Sequence, residues 1–406
     1  MKVLIVNSYY YPDIIGGAER STQLLAEGLA RRGVNVCVLC NGLEDCKSEH
    51  NGVVIIRRRF NNIVSLCNYS DKKLITRLFF KILDYFNYFN YGPIRKVLLS
   101  EKPDIIHTNN LYGISPVMWK AASGLRIPVV HTARDYYLLC PKIKYINNRN
   151  LECDKARAAC KLYRLMYRRI SKRVSCLVTP TGHTLDIFEK SSFFSGAKHR
   201  VINNACDCDI DDVRKTIKVK KESIASQDTI TYIFAGGLYE HKGIGWLLKA
   251  FKNCKNQNVR LTIAGKGRMD RYVKEATAID SRISFKGFLN AEELREEMKK
   301  SDVLIIPSIF AETFGRTIVE GYFAGLPAIG SNLGAIPEIL INHKTGILVK
   351  PGNVDELSEV LDNLEKNRKL IFDMLGNIAI EAEKYTMDSH VNNYLDCYKN
   401  VLSNRL

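Results

Sequence analysis

Short aliphatic runs, each followed by a stretch with apolar residues at helical spacing, recur along this chain and limit the folds open to it. Val3–Val6 is followed by Leu24, Leu25, Gly28 and Leu29 on one helical face, with Gly33 as the stop. Strand-like runs return at Val34–Leu39, Asp104–His107, Pro128–His131 and Cys176–Thr179. Strand, helix and strand in this order predict parallel sheets covered by helices. The rhythm restarts after residue 205, with strands at Ile230–Ala235, Val259–Ala264, Ile283–Phe285, Val303–Pro307, Pro327–Ile329 and Ile347–Val349 and a helix over Gly243–Phe251. Helical patterns close the chain from Val354 onward. A length of 406 residues accommodates two such domains. The expectation is an N-terminal domain over 1–205, a C-terminal domain over 206–385, and a last helix over 386–406 able to return to the first domain. The boundary is expected between Asn203 and Asp228, a polar stretch. The fold class is α/β, with two Rossmann-like doubly wound domains facing each other across a cleft.

Charge divides the chain the same way. The net charge is +17, and residues 1–205 carry all of it, with 32 Lys and Arg against 15 Asp and Glu. Such a field favours an anionic partner: a membrane surface, a phosphorylated acceptor or nucleic acid. No zinc-finger spacing, basic zipper or aromatic RNA-binding signature occurs, which argues against nucleic acid. Two segments in this half mix basic and apolar residues at helical spacing. One runs from Asp71 to Phe89; the other holds Lys155, Arg157, Lys161, Arg164, Arg168, Arg169, Lys172 and Arg173 among Leu, Met and Tyr. Amphipathic basic helices suit an anionic lipid surface, and they equally suit packing of the apolar face in a core. No apolar run reaches the roughly 18 residues of a membrane span, and Val3–Val6 is too short for a signal-peptide core. A cytoplasmic protein, peripheral on the inner face of the cytoplasmic membrane, is the expectation. The twelve cysteines are too few for a disulfide scaffold. Cys37, Cys40 and Cys176 lie in strand-like runs and read as buried thiols, while Cys140, Cys153 and Cys160 match no zinc pattern.

Chemistry is expected in the loops after the strands, because open parallel sheets bind ligands outside their carboxyl ends. After Val303–Pro307 comes Pro307-Ser-Ile-Phe-Ala-Glu-Thr-Phe-Gly-Arg-Thr-Ile-Val-Glu320. Glu312 stands in the loop. A helix start near Gly315 offers the N–H groups of Phe314, Gly315, Arg316 and Thr317 to an anion. Glu320 lies about a turn inside that helix, placed to accept hydrogen bonds from vicinal hydroxyls. The alternative is an ordinary loop glutamate and an ordinary surface glutamate. After Ile230–Ala235 comes Gly236-Gly237-Leu-Tyr-Glu-His-Lys242-Gly243, glycines and a lysine suited to phosphate. Gly265, in Gly-Lys-Gly after the next strand, adds a weaker signal of the same kind. In the first domain, Gly16 and Gly17 follow the first strand and would put bare backbone at the cleft.

Taken in order, these pieces resemble glycosyltransferase family 4. The resemblance runs from Lys2 to about Lys384. It rests on the carboxylate pair Glu312 and Glu320, on Phe314-Gly315, Gly325-Leu326-Pro327 and Gly334-Ala-Ile-Pro-Glu338, and on Gly346 in Thr-Gly-Ile-Leu-Val. It implies the two-domain arrangement called GT-B, a nucleotide-sugar donor as substrate, transfer with retention of configuration, and no cofactor or obligatory metal. It implies that Glu320 holds the ribose hydroxyls, Glu312 the transferred sugar and Lys242 the diphosphate. A lipid-linked or oligosaccharide acceptor, in cell-surface polysaccharide synthesis, would complete the reaction.

The chain departs from the family in three places. Gly237 stands where an arginine is frequent, with Arg316 or Lys266 as substitutes. Asn204-Ala205 replaces Asn-Gly. Arg134-Asp135 replaces His-Asp in a segment expected to belong to the catalytic set. Arg134 is no base, because a guanidinium does not deprotonate in proteins; it suits an acceptor phosphate or the leaving diphosphate. His131, nearby on a strand, reads first as a core histidine. Two other readings remain beside transfer: a phosphorylase or epimerase on the same fold, and a catalytically weak or inactive protein that binds membranes or partners.

Overall fold

Every aliphatic run named above becomes a strand in the computed structural model, which describes residues 1–14, 16–60, 87–140, 158–207 and 209–403. The chain divides into two units. The first takes the described residues up to 204 together with the helix Met387–Ser403; the second is Ala205–Thr386.

The first unit holds β1 (Lys2–Val6), β2 (Asn35–Asn41), β3 (Cys46–His50), β4 (Val53–Arg58), β5 (Ile105–Thr108), β6 (Val129–Thr132), β7 (Cys176–Thr179) and β8 (Lys198–Val201). Their order is β3-β4-β2-β1-β5-β6-β7-β8, and every pairing is parallel except β3 with β4. The period of two along β1 splits its residues between two cores. Leu4 and Val6 join Trp119 and Leu177 on one face, while Val3 and Ile5 join Leu25, Val178 and Tyr394 on the other. Each fully buried Leu, Ile or Val contributes about 1.5–3 kcal/mol. The second face is completed by the C-terminal helix Met387–Ser403, which buries Val391, Tyr394, Cys397, Tyr398 and Val401. Gly28 on the helix Gly17–Arg31 permits that approach: a Cβ there would lie 2.6 Å from Cγ2 of Val391.

The second unit holds β9 (Ile230–Ala235), β10 (Val259–Ala264), β11 (Ile283–Gly287), β12 (Val303–Ile306), β13 (Ala328–Ser331) and β14 (Gly346–Val349), all parallel, in the order β11-β10-β9-β12-β13-β14. The order reverses direction at β9 and β12. A crevice opens at such a point because the two following loops leave toward opposite sides.

Two strands have no signal in the sequence, and a third, β4, is not among the expected strands although it opens with the aliphatic run Val53-Val-Ile-Ile56. β3 and β8 are edge strands made mostly of polar, largely exposed residues, so no alternation marks them; β4 pairs between β2 and β3. The division falls between Asn204 and Ala205, and the polar stretch that follows it is no linker. It is mainly a helix, Ile210–Ser226, capped by Asp209, whose carboxylate accepts from the N–H of Asp211 at 2.9 Å. Val213, Ile217, Lys220 and Ile224 form its buried stripe, and Nζ of Lys220 donates to the carbonyl of Lys299 at 2.8 Å. A buried lysine on that stripe made an amphipathic helix look like a polar linker.

Candidate active site

The loops after β9 and β12 are locked together by glycine. Gly243 follows a short turn over Glu240–Lys242 and has φ of +77°. A Cβ there would collide with the carbonyl of Pro307, so both the left-handed backbone and the close approach require glycine. The N–H of Ile309 donates to the carbonyl of His241 at 3.0 Å, which fixes the second loop against the first. On the far side, Gly265 has φ of +149°, and a Cβ would run into the carbonyl of Gly236.

This clamp places Lys242 against Glu312. Nζ of Lys242 lies 2.7 Å from Oε1 of Glu312. The hydroxyl of Ser308 donates to the same oxygen at 2.8 Å. Among the described residues, Oε2 of Glu312 receives no hydrogen bond. The ammonium of Lys242 also sits 4.9 Å from the centroid of the Phe310 ring, a cation–π contact that limits its swing. The helix Arg316–Phe323 starts after Gly315, whose φ is +84°. Nε of Arg316 donates to Oε1 of Glu320 at 2.8 Å, one turn along. Gly236, Lys242, Pro307, Ser308, Glu312 and Arg316 are among the residues lining one cavity of about 140 Å³, with Gly315 and Thr317 at the helix start. The pair Lys242–Glu312 is partly exposed and is worth no more than about 1 kcal/mol. A hydrogen bond to a charged group is worth about 1.5–3 kcal/mol. An anion entering the cavity can therefore recruit Lys242 at little cost.

Other expected residues fall elsewhere. Phe314 is buried, its ring edge-on to Tyr385 at 6.1 Å, so only its backbone faces the helix start. Gly237, beside the Tyr239 ring, Gly265, against Gly236, and Glu320, bonded to Arg316, are not among the residues that line the cavity. In the first unit, Gly16 and Gly17 open the helix Gly17–Arg31, and the N–H of Gly16 is not bare: it donates to Oε2 of Glu19 at 2.9 Å. Arg134 follows β6. Its Nε donates to Oδ1 of Asn109 at 2.9 Å, and its Nη1 donates to Oδ1 of Asn204. Asp135 accepts from the N–H of Tyr137 at 2.8 Å and so closes the turn. His131 is fully buried, 3.0 Å from the hydroxyl of Thr108 and stacked on Phe194. Burial pushes its imidazole down to about 3, a neutral core histidine. No cluster of three or more His, Cys, Asp or Glu suits a metal among the described residues. Cys37, Cys40, Cys140 and Cys176 are buried free thiols and Cys160 is half-buried, while Cys153 lies outside the described residues.

Ser308 and Phe310 were not singled out from the sequence. A serine four residues before a carboxylate and a phenylalanine between them carry no signature until the loop is folded. The basic segment from Lys155 becomes, in its described part, the helix Ala158–Ser171, which has no acidic residue and exposes Leu162 and Leu165. Lys155, Arg157 and the stretch 71–86 lie outside the described residues. No described helix is long and apolar enough to cross a membrane.

Comparisons with known proteins bear on the family and the fold. The family described as glycosyl transferases group 1 matches residues 215–381, and Glycosyltransferase Family 4 matches residues 15–210. An uncharacterized 42.6 kDa protein from the cps region of Klebsiella pneumoniae is 29% identical over 84% of this chain and 87% of its own length. An uncharacterized glycosyltransferase of Methanocaldococcus jannaschii is 27% identical over 98% of both chains. Among solved structures, HepE of Anabaena in complex with UDP superposes with a TM-score of 0.70 at 18% identity, covering 98% of this chain and 100% of that one. WaaG, a glycosyltransferase involved in lipopolysaccharide biosynthesis, superposes with a TM-score of 0.65 at 16% identity, covering 98% and 99%. At these identities the structures speak for the GT-B fold. With both units matched in order by the two family models, the chain belongs to the family 4 glycosyltransferases.

Proposed function

We propose that this glycosyltransferase moves a sugar from a nucleoside diphosphate sugar to a hydroxyl of a lipid-linked or saccharide acceptor, with retention and without an obligatory metal. The observation that carries the reading is the cavity at β9 and β12, where a lysine, a helix start and a carboxylate with one unengaged oxygen converge. HepE was solved with UDP and with UDP-glucose, which favours a uridine donor here. Relatives from capsule regions favour surface polysaccharide as the product.

In this mechanism the diphosphate takes Lys242 and the N–H groups at the start of Arg316–Phe323. Both stabilise the negative charge that grows on the leaving oxygen, which is electrostatic catalysis. Ser308 keeps Glu312 oriented when Lys242 turns to phosphate, so that Oε2 meets a hydroxyl of the transferred sugar. Glu320, steadied by Arg316, accepts from the ribose. Arg134 binds an anionic group of the acceptor. The acceptor hydroxyl attacks on the face the diphosphate leaves, through an oxocarbenium-like state. The enzyme works at the cytoplasmic face of the membrane, held there by the basic helix Ala158–Ser171 with its exposed Leu162 and Leu165.

A melting panel of UDP, GDP, ADP, dTDP and CMP on the wild type and on Glu320→Ala tests the donor reading. A specific nucleotide at about a hundred times its Kd adds roughly 2.7 kcal/mol. One nucleotide should stabilise the wild type and lose most of its effect on the variant. No shift with any of the five, in a folded sample, would sink the reading. The anomeric configuration of the product and the rate in EDTA test retention and metal independence.

A further inference from the structure

The C-terminal helix Met387–Ser403 buries a stripe of polar side chains at His390, Tyr394 and Tyr398, one every fourth residue and so on one face. Each meets the carboxyl end of the sheet in the first unit. The hydroxyl of Tyr398 lies 2.7 Å from Nδ1 of His107 on β5, whose Nε2 lies 2.7 Å from Oγ1 of Thr132, the last residue of β6. The hydroxyl of Tyr394 lies 2.9 Å from the same Oγ1. His390 does something different: its Nδ1 lies 2.6 Å from the carbonyl oxygen of Asn203. A carbonyl only accepts, so Nδ1 carries the proton and donates.

That carbonyl belongs to the peptide joining Asn203 to Asn204. Asn204 in turn offers its side-chain oxygen to Nη1 of Arg134, and Asn109 holds Nε. An arginine side chain carries about 2 kcal/mol of rotamer entropy, so its place depends on what holds the fork. Asn109 is buried directly after β5, its N–H donating to the carbonyl of Val6 at 2.9 Å. Asn204 is on a segment outside any strand or helix, after β8 ends at Val201. The side chain of Asn203 is tied to the carbonyl of Pro180 at 2.8 Å, but that bond does not set the plane of the 203–204 peptide. The bond from His390 does.

We propose that His390 is a positioning residue: by pinning the Asn203–Asn204 peptide it sets where the guanidinium of Arg134 stands, making the C-terminal helix a support of the first unit's site. Histidine suits the place because it donates while neutral. Burial first, and then the charge of Arg134, disfavour its cation. A lysine there would place a second buried cation toward Arg134. The consequence for catalysis rests on the proposed role of Arg134; the contact itself does not.

The test reads the contact by NMR on the full chain, without a substrate. The Arg134 Nε–H resonance is assigned by its loss in Arg134→Lys. In His390→Leu its exchange with water should speed up about tenfold, the worth of one good hydrogen bond, while His390→Gln, which retains an N–H donor, should stay near the wild type. Coupling is reciprocal, so Arg134→Ala should speed exchange at Nδ1–H of His390, and this arm decides if His390→Leu does not fold. Unchanged exchange at Arg134 in a folded His390→Leu, or at His390 in Arg134→Ala, overturns the proposal. The activity of Arg134→Ala is a separate question: an undiminished transfer rate there would remove Arg134 from the reaction and leave the positioning contact standing.

Discussion

Oε1 of Glu312 accepts from both Lys242 and Ser308, and the proposed mechanism asks different things of the two donors. In that mechanism Lys242 is shared with the phosphate and Ser308 is not. Lys242→Ala should therefore lower the transfer rate by about a hundredfold or more, the range seen when one donor to a developing oxyanion is removed. Ser308→Ala should cost about tenfold in kcat, the low end for a hydrogen bond to a charged group, with donor Kd close to the wild type. Steady-state kinetics beside nucleotide binding separates the two, and a Ser308→Ala that weakens binding but spares kcat would make the serine a ligand contact instead. The sequence showed Lys242 and Glu312 as separate candidates on separate loops. Their pairing was not legible, because it depends on Gly243 bringing the loop after β9 onto Pro307. The sequence also put Gly16 forward as bare backbone, where the carboxylate of Glu19 three residues on occupies it.

Among the elements, the turn at Gly243 and the helix Ala158–Ser171 carry opposite kinds of risk. Gly243→Ala asks a Cβ to share space with the carbonyl of Pro307 at a left-handed φ. Relieving that overlap must move the loop holding Lys242. The variant should lose about 1–3 kcal/mol of stability and most of its nucleotide-induced shift, read in one melting experiment with and without UDP. Full retention of both would mean the clamp is soft. The helix Ala158–Ser171 is the reverse case, because its exposed side chains support no core. Lys161, Leu162, Leu165 and Arg169 are all exposed, a mixed surface that anionic headgroups and the acyl boundary would both satisfy. Each neutralised Lys or Arg near the surface should remove about 1 kcal/mol of binding to vesicles rich in anionic lipid, so a Lys161→Gln, Arg169→Gln pair should weaken sedimentation with such vesicles roughly thirtyfold, and added salt should mimic it. Binding that ignores both changes would place the contact on another face. Aliphatic β-strands were legible because burial on both faces demands unbroken Val, Ile and Leu. The edge strands β3 and β8 and the helix Ile210–Ser226 were not, because solvent on one side lets polar residues fill them.

At the scale of the whole molecule, charge and protonation pull on the first unit. Its sequence carries all of the chain's net +17, and its core holds His107, His131 and His390. Burial lowers the pKa of all three, to about 3 for His131 and His390, with the charge of Arg134 adding to the effect at His107 and His390. In the unfolded chain these imidazoles titrate near about 6.5. Between those values the unfolded chain takes up protons that the folded chain refuses, so stability is complete above about pH 6.5 and falls as the pH drops toward 3. At pH 5 the loss should be about 2 kcal/mol for each of His131 and His390. Asp302, which burial pushes above its usual range, works the other way and gains stability as the pH falls toward its folded value. Asp280, held below its usual range by the hydrogen bond from Arg282, loses its contribution only at lower pH. Urea unfolding at pH 7, 6 and 5 should thus show a declining midpoint, and His131→Phe, which removes one titrating group while retaining an aromatic ring against Phe194, should flatten the decline by about a third. A midpoint that does not move between pH 7 and 5 would mean that these histidines are already protonated in the folded unit, and the hydrogen bond from neutral His390 to Asn203 would then have to be drawn with a cation.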